Sequence, residues 1–162
     1  MNTAHYTEFN ALTLKGIDLL SLILPLLAEE KTALTERDLD KITLLANQKS
    51  HILADFSTNI KTRIELLQRF NLETNKENIA LFLDSCPDNT ISNTCKSNWD
   101  KLEKSLCIVI DANTVNEQIA KKNQKNIDTI LSILQGQKPN NMLYDAKGDK
   151  GDYSGQSRIG KA

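Results

Sequence analysis

The chain has 162 residues, of which 40% are hydrophobic and 25% charged, and its net charge is −1. That length sets one domain with room for a tail, and the modest apolar share points to a narrow core rather than a spherical one. The near-neutral balance argues against nucleic acid as the main partner, because phosphate binding draws on a clear Lys/Arg excess.

Cys86, Cys95 and Cys107 are odd in number, and their spacing suggests neither a disulfide framework nor a zinc site. They read as reduced thiols, with Cys107 on or near a buried face. No basic n-region or cleavage site opens the chain, so a cleaved secretion signal is not expected. Only Gly16 precedes Gly136, and a body with so little turn punctuation is expected to consist of few, long helices.

In chain order, the first helix is expected over residues 7–34. Its middle, residues 17–27, is apolar nearly all the way round. A membrane span needs roughly 20 apolar residues. This run is shorter, carries Asp18 and has charged flanks, so membrane insertion is not expected. A helix apolar on every side must be covered on every side, by partner helices or by another protein. Pro25 predicts a kink or a break. Thr35, followed three residues on by Asp38, resembles a capping box at the turn into the next helix.

The second helix is expected over residues 36–70. Leu39, Ile42, Leu45, Ile52, Phe56, Ile60, Leu67 and Phe70 follow a three-four spacing, with Lys49 and Arg63 as the exceptions. A short helix over residues 75–84 would bury Ile79, Phe82 and Leu83. Residues 85–94 have loop chemistry.

A long helix is then expected over residues 98–136, capped by Asn98 or Ser97 and ended by Gly136. Trp99, Leu102, Leu106, Val109, Ile119, Ile127, Ile130 and Leu134 form its apolar stripe. The middle of that stripe is polar, with Asn113, Asn116 and Asn123 where apolar residues would continue it. Two readings stand: a solvated stretch, or a seam built to be opened. Residues 137–162 are rich in Lys, Asp and Gly and cannot bury enough apolar surface to order themselves. The apolar group Met142-Leu143-Tyr144 lies among them.

The expected fold is therefore all-α, an elongated antiparallel helical hairpin or bundle of three to four helices (1–136) with a disordered C-terminal tail (137–162). No Gly-rich phosphate loop, Glu-x-x-His metal pattern or recognisable triad is present, so neither enzyme activity nor a cofactor is expected.

Several stretches resemble the FlgN-type flagellar export chaperones. Leu34-Thr35-Glu36-Arg37-Asp38-Leu39-Asp40-Lys41-Ile42 looks like that family's Leu-x-x-x-Asp-Leu-x-x-Leu stretch. Trp99 heads the long helix, as the family's Trp does. Ala112-Asn113-Thr114-Val115-Asn116 is similar to Leu-Asn-x-x-Asn, with Asn126 following ten residues beyond Asn116. Leu143-Tyr144-Asp145-Ala146-Lys147-Gly148 looks like the tail motif Leu-Tyr-x-x-x-Gly. Glu117 and Asp145 depart from the pattern, standing where the family commonly has Gly.

The resemblance implies a cytoplasmic chaperone for the hook–filament junction (hook-associated) proteins that also docks on the export gate of the flagellar secretion apparatus. It would place Asn113, Asn116, Ile119, Asn123, Ile127, Ile130 and Leu134 in the cargo groove, and Leu143 and Tyr144 at the gate. The residues suggest that a cargo helix covers either Leu19, Leu20, Ile23 and Leu27 or the seam over residues 113–127. Two other classes fit the pattern less well: a helical adaptor without a secretion role, and a bundle enzyme. Whether free chains form a homodimer is open at this level.

Overall fold

The computed structural model describes residues 3–73 and 75–135. These contain four helices and no strand: α1 (Thr3–Glu36), α2 (Leu39–Gln68), α3 (Lys76–Asp84) and α4 (Asn89–Leu134). The all-α expectation is met. The expected tail lies outside the described residues. The chain divides into two compact units, 1–121 and 122–162.

In the first unit α1 and α2 pack as an antiparallel hairpin. Arg37, with φ of 60°, lies in the left-handed region, and the Asp38 amide donates back to the Ala33 carbonyl at 3.0 Å. This closes α1 as a Schellman turn built without glycine. Asp38, rather than Thr35, caps α2: its carboxylate accepts from the Lys41 amide at 3.0 Å, while the Thr35 hydroxyl donates to the Lys31 carbonyl within α1. α2 ends in the same way, with Asn71 at φ 55° and the Leu72 amide donating to the Leu67 carbonyl. Asn tolerates this conformation better than most residues.

Two expectations about helix limits need correction. Of the kink or break expected at Pro25, the break is ruled out, since α1 is one helix from Thr3 to Glu36. Residues 89–97, expected to precede the long helix, are the first turns of α4. Asp88 starts them, its Oδ1 accepting from the Thr90 and Ile91 amides at 2.8 and 3.1 Å. An aspartate after Pro87 is a strong N-cap, and it outweighs the loop-like composition of the residues behind it.

α4 runs alongside α1 in the same direction. Cys95 Sγ lies 3.5 Å from the Tyr6 carbonyl, Asn98 Nδ2 donates to Asn10 Oδ1 at 2.9 Å, and Asn116 meets Leu27. α2 therefore runs antiparallel to both. α3 covers the end of the bundle where α2 stops and α4 starts, its Ile79, Phe82 and Leu83 packed with Tyr6, Phe9, Leu66, Leu67 and Cys95.

The core of this unit has two parts. Tyr6, Phe9, Leu66, Leu67, Ile79, Phe82, Leu83, Cys86 and Cys95 form an aromatic-rich cluster. Within it Tyr6 stacks on Phe82 with ring centroids 4.7 Å apart. Leu19, Leu20, Ile23, Leu27, Phe56, Leu102 and Val109 form the second cluster. Gly16 of α1 faces both α2 and α4. A Cβ there would stand 3.0 Å from Leu102 Cδ1 and 3.1 Å from Asn59 Oδ1.

By length and composition alone α1 is long and apolar enough to cross a membrane. Its apolar residues are instead shared between the core and solvent: Leu19, Leu20, Ile23 and Leu27 are buried, and Leu22 is exposed. The alternative that a cargo helix covers Leu19, Leu20, Ile23 and Leu27 is withdrawn, because α2 and α4 already cover them. Cys107 is exposed rather than on the buried face, while Cys86 and Cys95 are buried. The buried stripe of α4 passes through Leu102 and Val109, and Cys107 falls on the side of the helix turned away from it.

Candidate partner-binding surfaces

The polar middle of α4 is an occupied hydrogen-bond network. Asn116 Nδ2 donates to the Leu27 carbonyl and to Glu30 Oε2, both at 2.8 Å. Lys49 Nζ donates to both Glu30 carboxylate oxygens at 2.8 Å and to Asn113 Oδ1 at 3.4 Å. Asn113 Nδ2 then reaches Glu117 Oε1 at 2.7 Å. Glu30 and Asn116 are buried, and a buried carboxylate is tolerable only with such partners. Leu27 and Glu30 of α1, Lys49 of α2, and Asn113, Asn116 and Glu117 of α4 are thereby locked in a single register. Lys49 breaks the apolar spacing of α2 because it is the cation that Glu30 requires.

Ile119 and Asn123 are half-buried. Farther on, in the second unit, the apolar residues of α4 face solvent: Ile127 is 51% exposed, Ile130 54%, Leu131 48% and Leu134 77%. At 3.6 residues per turn these four share one side of the helix. Leu143 and Tyr144 lie outside the described residues.

A third feature was not singled out from the sequence as a site. Arg63 is only 7% exposed, and among the described residues its Nε and Nη1 have no hydrogen-bond partner. The guanidinium carbon lies 5.5 Å from the centre of the Trp99 ring, a cation–π contact. Burial lowers the Arg63 pKa from its ordinary value. Arg63 interrupts the apolar spacing of α2, and that was its only trace in the sequence. What surrounds it comes from α1, α3 and α4, which spacing along α2 cannot reveal.

Among the described residues no group of three or more His, Cys, Asp or Glu side chains is placed to hold a metal ion. The Cys95 thiol is pushed up in pKa, first by burial and then by the neighbouring Cys86. A neutral, buried thiol is a poor nucleophile.

The surfaces thus comprise a helix end with an uncovered apolar side and a network that fixes the rest of that helix. The family model of the FlgN protein matches residues 1–151. The chain belongs to the FlgN family. No curated protein and no solved structure matches it. FlgN proteins are flagellar export chaperones, so this FlgN chain has a general chaperone role in building the flagellum and binds flagellar proteins. The match extends over the positions of Leu143 and Tyr144.

Proposed function

We propose that this FlgN chain is a cytoplasmic chaperone that binds hook–filament junction proteins and delivers them to the flagellar export gate. The observation that carries this reading is the exposed apolar side of α4 at Ile127, Ile130, Leu131 and Leu134. A cargo helix with apolar residues at three-four spacing would cover that side by helix-in-groove packing. Ile119 and Asn123 would border the contact. Asn113 and Asn116 would serve it by holding α4 in register. Leu143 and Tyr144 would contact the gate, a role that rests on the resemblance of Leu143-Tyr144-Asp145-Ala146-Lys147-Gly148 to the family's tail motif. Before cargo arrives, the same apolar side would support a homodimer.

Calorimetric titration with the C-terminal segment of a hook–filament junction protein from the same organism tests this. Saturable binding with a negative heat-capacity change is expected. Because Ile127 and Ile130 are exposed, the double variant Ile127→Asp/Ile130→Asp should keep its thermal midpoint and bind cargo at least tenfold more weakly. Undiminished binding by the folded variant would place cargo elsewhere. Tyr144→Ala should retain cargo affinity and lose export; normal export would remove Tyr144 from the gate contact.

A further inference from the structure

The exposed apolar side of α4 lies at the end of that helix, and the chain continues beyond it from Gly136 to Ala162. In that continuation Met142-Leu143-Tyr144 is the only run of large apolar residues. The linker before it, Gly136-Gln137-Lys138-Pro139-Asn140-Asn141, carries no large aliphatic or aromatic side chain. A glycine just past the last helical turn permits the chain to reverse. The residues from Gln135 to Leu143 can span up to about 26 Å, whereas Ile127 lies only about 12 Å back along the helix. Leu143 can therefore reach every residue of the exposed side. A segment on so short a tether meets that side at an effective concentration on the order of millimolar.

We propose that in the cargo-free chain Met142 and Leu143 fold back onto Ile127, Ile130, Leu131 and Leu134, so that the chain's own tail competes with cargo for this face. The proposal rests on the assignment of the face to cargo. Position selects the occupant: the tail starts where the face ends, and its docking forfeits none of the translational freedom that a separate molecule must give up. Two tail side chains cannot cover all four residues at once. A cargo helix with apolar residues at three-four spacing covers them along two turns, and so displaces the tail. Tyr144, next to Leu143, is held against α4 until then, and its gate contact becomes available when cargo takes the face. A second copy of the chain meets the same competition, so the homodimer forms only at concentrations that outweigh the tether.

The test uses the full chain with isotope-labelled isoleucine and leucine methyl groups. Without cargo, nuclear Overhauser contacts are expected between the Leu143 methyls and those of Ile127 or Ile130. Met142→Ser/Leu143→Ser should shift the Ile127 and Ile130 methyl signals and leave that of Ile23, buried in the core, unmoved. Calorimetry then reads the competition. The same double variant should bind the C-terminal segment of the hook–filament junction protein at least about threefold more tightly than the unaltered chain. Absence of the methyl contacts, unmoved Ile127 and Ile130 signals, or equal cargo affinity in the two proteins would each overturn the proposal. So would contacts found only between chains in a mixture of labelled and unlabelled protein, which would give the face to a second copy. The two readings fail separately. Loss of the methyl contacts removes the tail without touching cargo, whereas undiminished cargo binding by Ile127→Asp/Ile130→Asp removes the cargo face whatever the tail does.

Discussion

Glu30, Lys49 and Asn116 meet at one point of the interior, and their energetics are those of a buried ion pair. Removing one partner leaves the other charge uncompensated, whereas removing both leaves an apolar gap. Glu30→Met and Lys49→Met should each destabilise the protein by about 2–3 kcal/mol, a value scaled down from a fully buried pair because the Lys49 side chain keeps 19% exposure. The double variant should lose less than the two singles combined, by at least about 1 kcal/mol in a double-mutant cycle read by urea unfolding. Additive losses would mean that the bridge contributes nothing beyond its separate side chains. Cys95 gives a pH dependence. Its folded pKa is raised by burial, so the unfolded chain gives up the thiol proton first. The stability it supplies is fully present below the unfolded thiol pKa, near 9.0, and is lost as pH rises through the raised folded value. Cys95→Ala should flatten that alkaline decline in the unfolding midpoint.

Among elements, α1 and α4 show how local and distant terms compete. In isolation Gly16 weakens α1 by about 1 kcal/mol relative to Ala. Its absent side chain lets Leu102 and the Asn59 amide approach, and that amide is held by its bond to the Leu12 carbonyl at 2.9 Å. Gly16→Val should therefore destabilise by roughly 2 kcal/mol through overpacking, despite gaining a side chain that restricts the unfolded chain. Asp88→Ala should cost about 1 kcal/mol by leaving the Thr90 and Ile91 amides without their acceptor, seen as a lower urea midpoint with an unchanged slope. Much of the element pattern was legible beforehand: the order of the helices, Ile79, Phe82 and Leu83 as the buried side of α3, and Leu102 and Val109 on the stripe of α4. The helix limits were less so. α1 and α2 end on Arg37 and Asn71 in left-handed conformations, where sequence reading looks for glycine, and α4 starts inside a stretch whose Asn, Ser and Thr read equally as loop.

At the scale of the whole molecule, a chaperone that takes cargo on one helix should show it in local stability. The α4 amides beyond Lys122, with few buried side chains around them, should exchange with solvent faster than those around Leu102 and Val109. Cargo at a hundredfold excess over its dissociation constant should raise global stability by about 2.7 kcal/mol and slow exchange at Ile127, Ile130 and Leu134 most. Uniform protection along α4, with no added slowing at its end, would count against that end as the cargo face. Periodicity and composition by themselves determined that the described residues fold as α-helices without a strand, where the short helix lies, and that α4 presents an apolar stripe with a polar middle, because those properties depend on residues three and four apart. Tertiary structure decided what the stripe meets. Asn113 and Asn116 could have been solvated or buried, and became part of a network only because Glu30 and Lys49 arrive from other helices. Arg63 could have been a surface cation, and became a buried one only because α1, α3 and α4 close around it. Pairing and burial depend on contacts between residues far apart in the chain, and no local spacing encodes them.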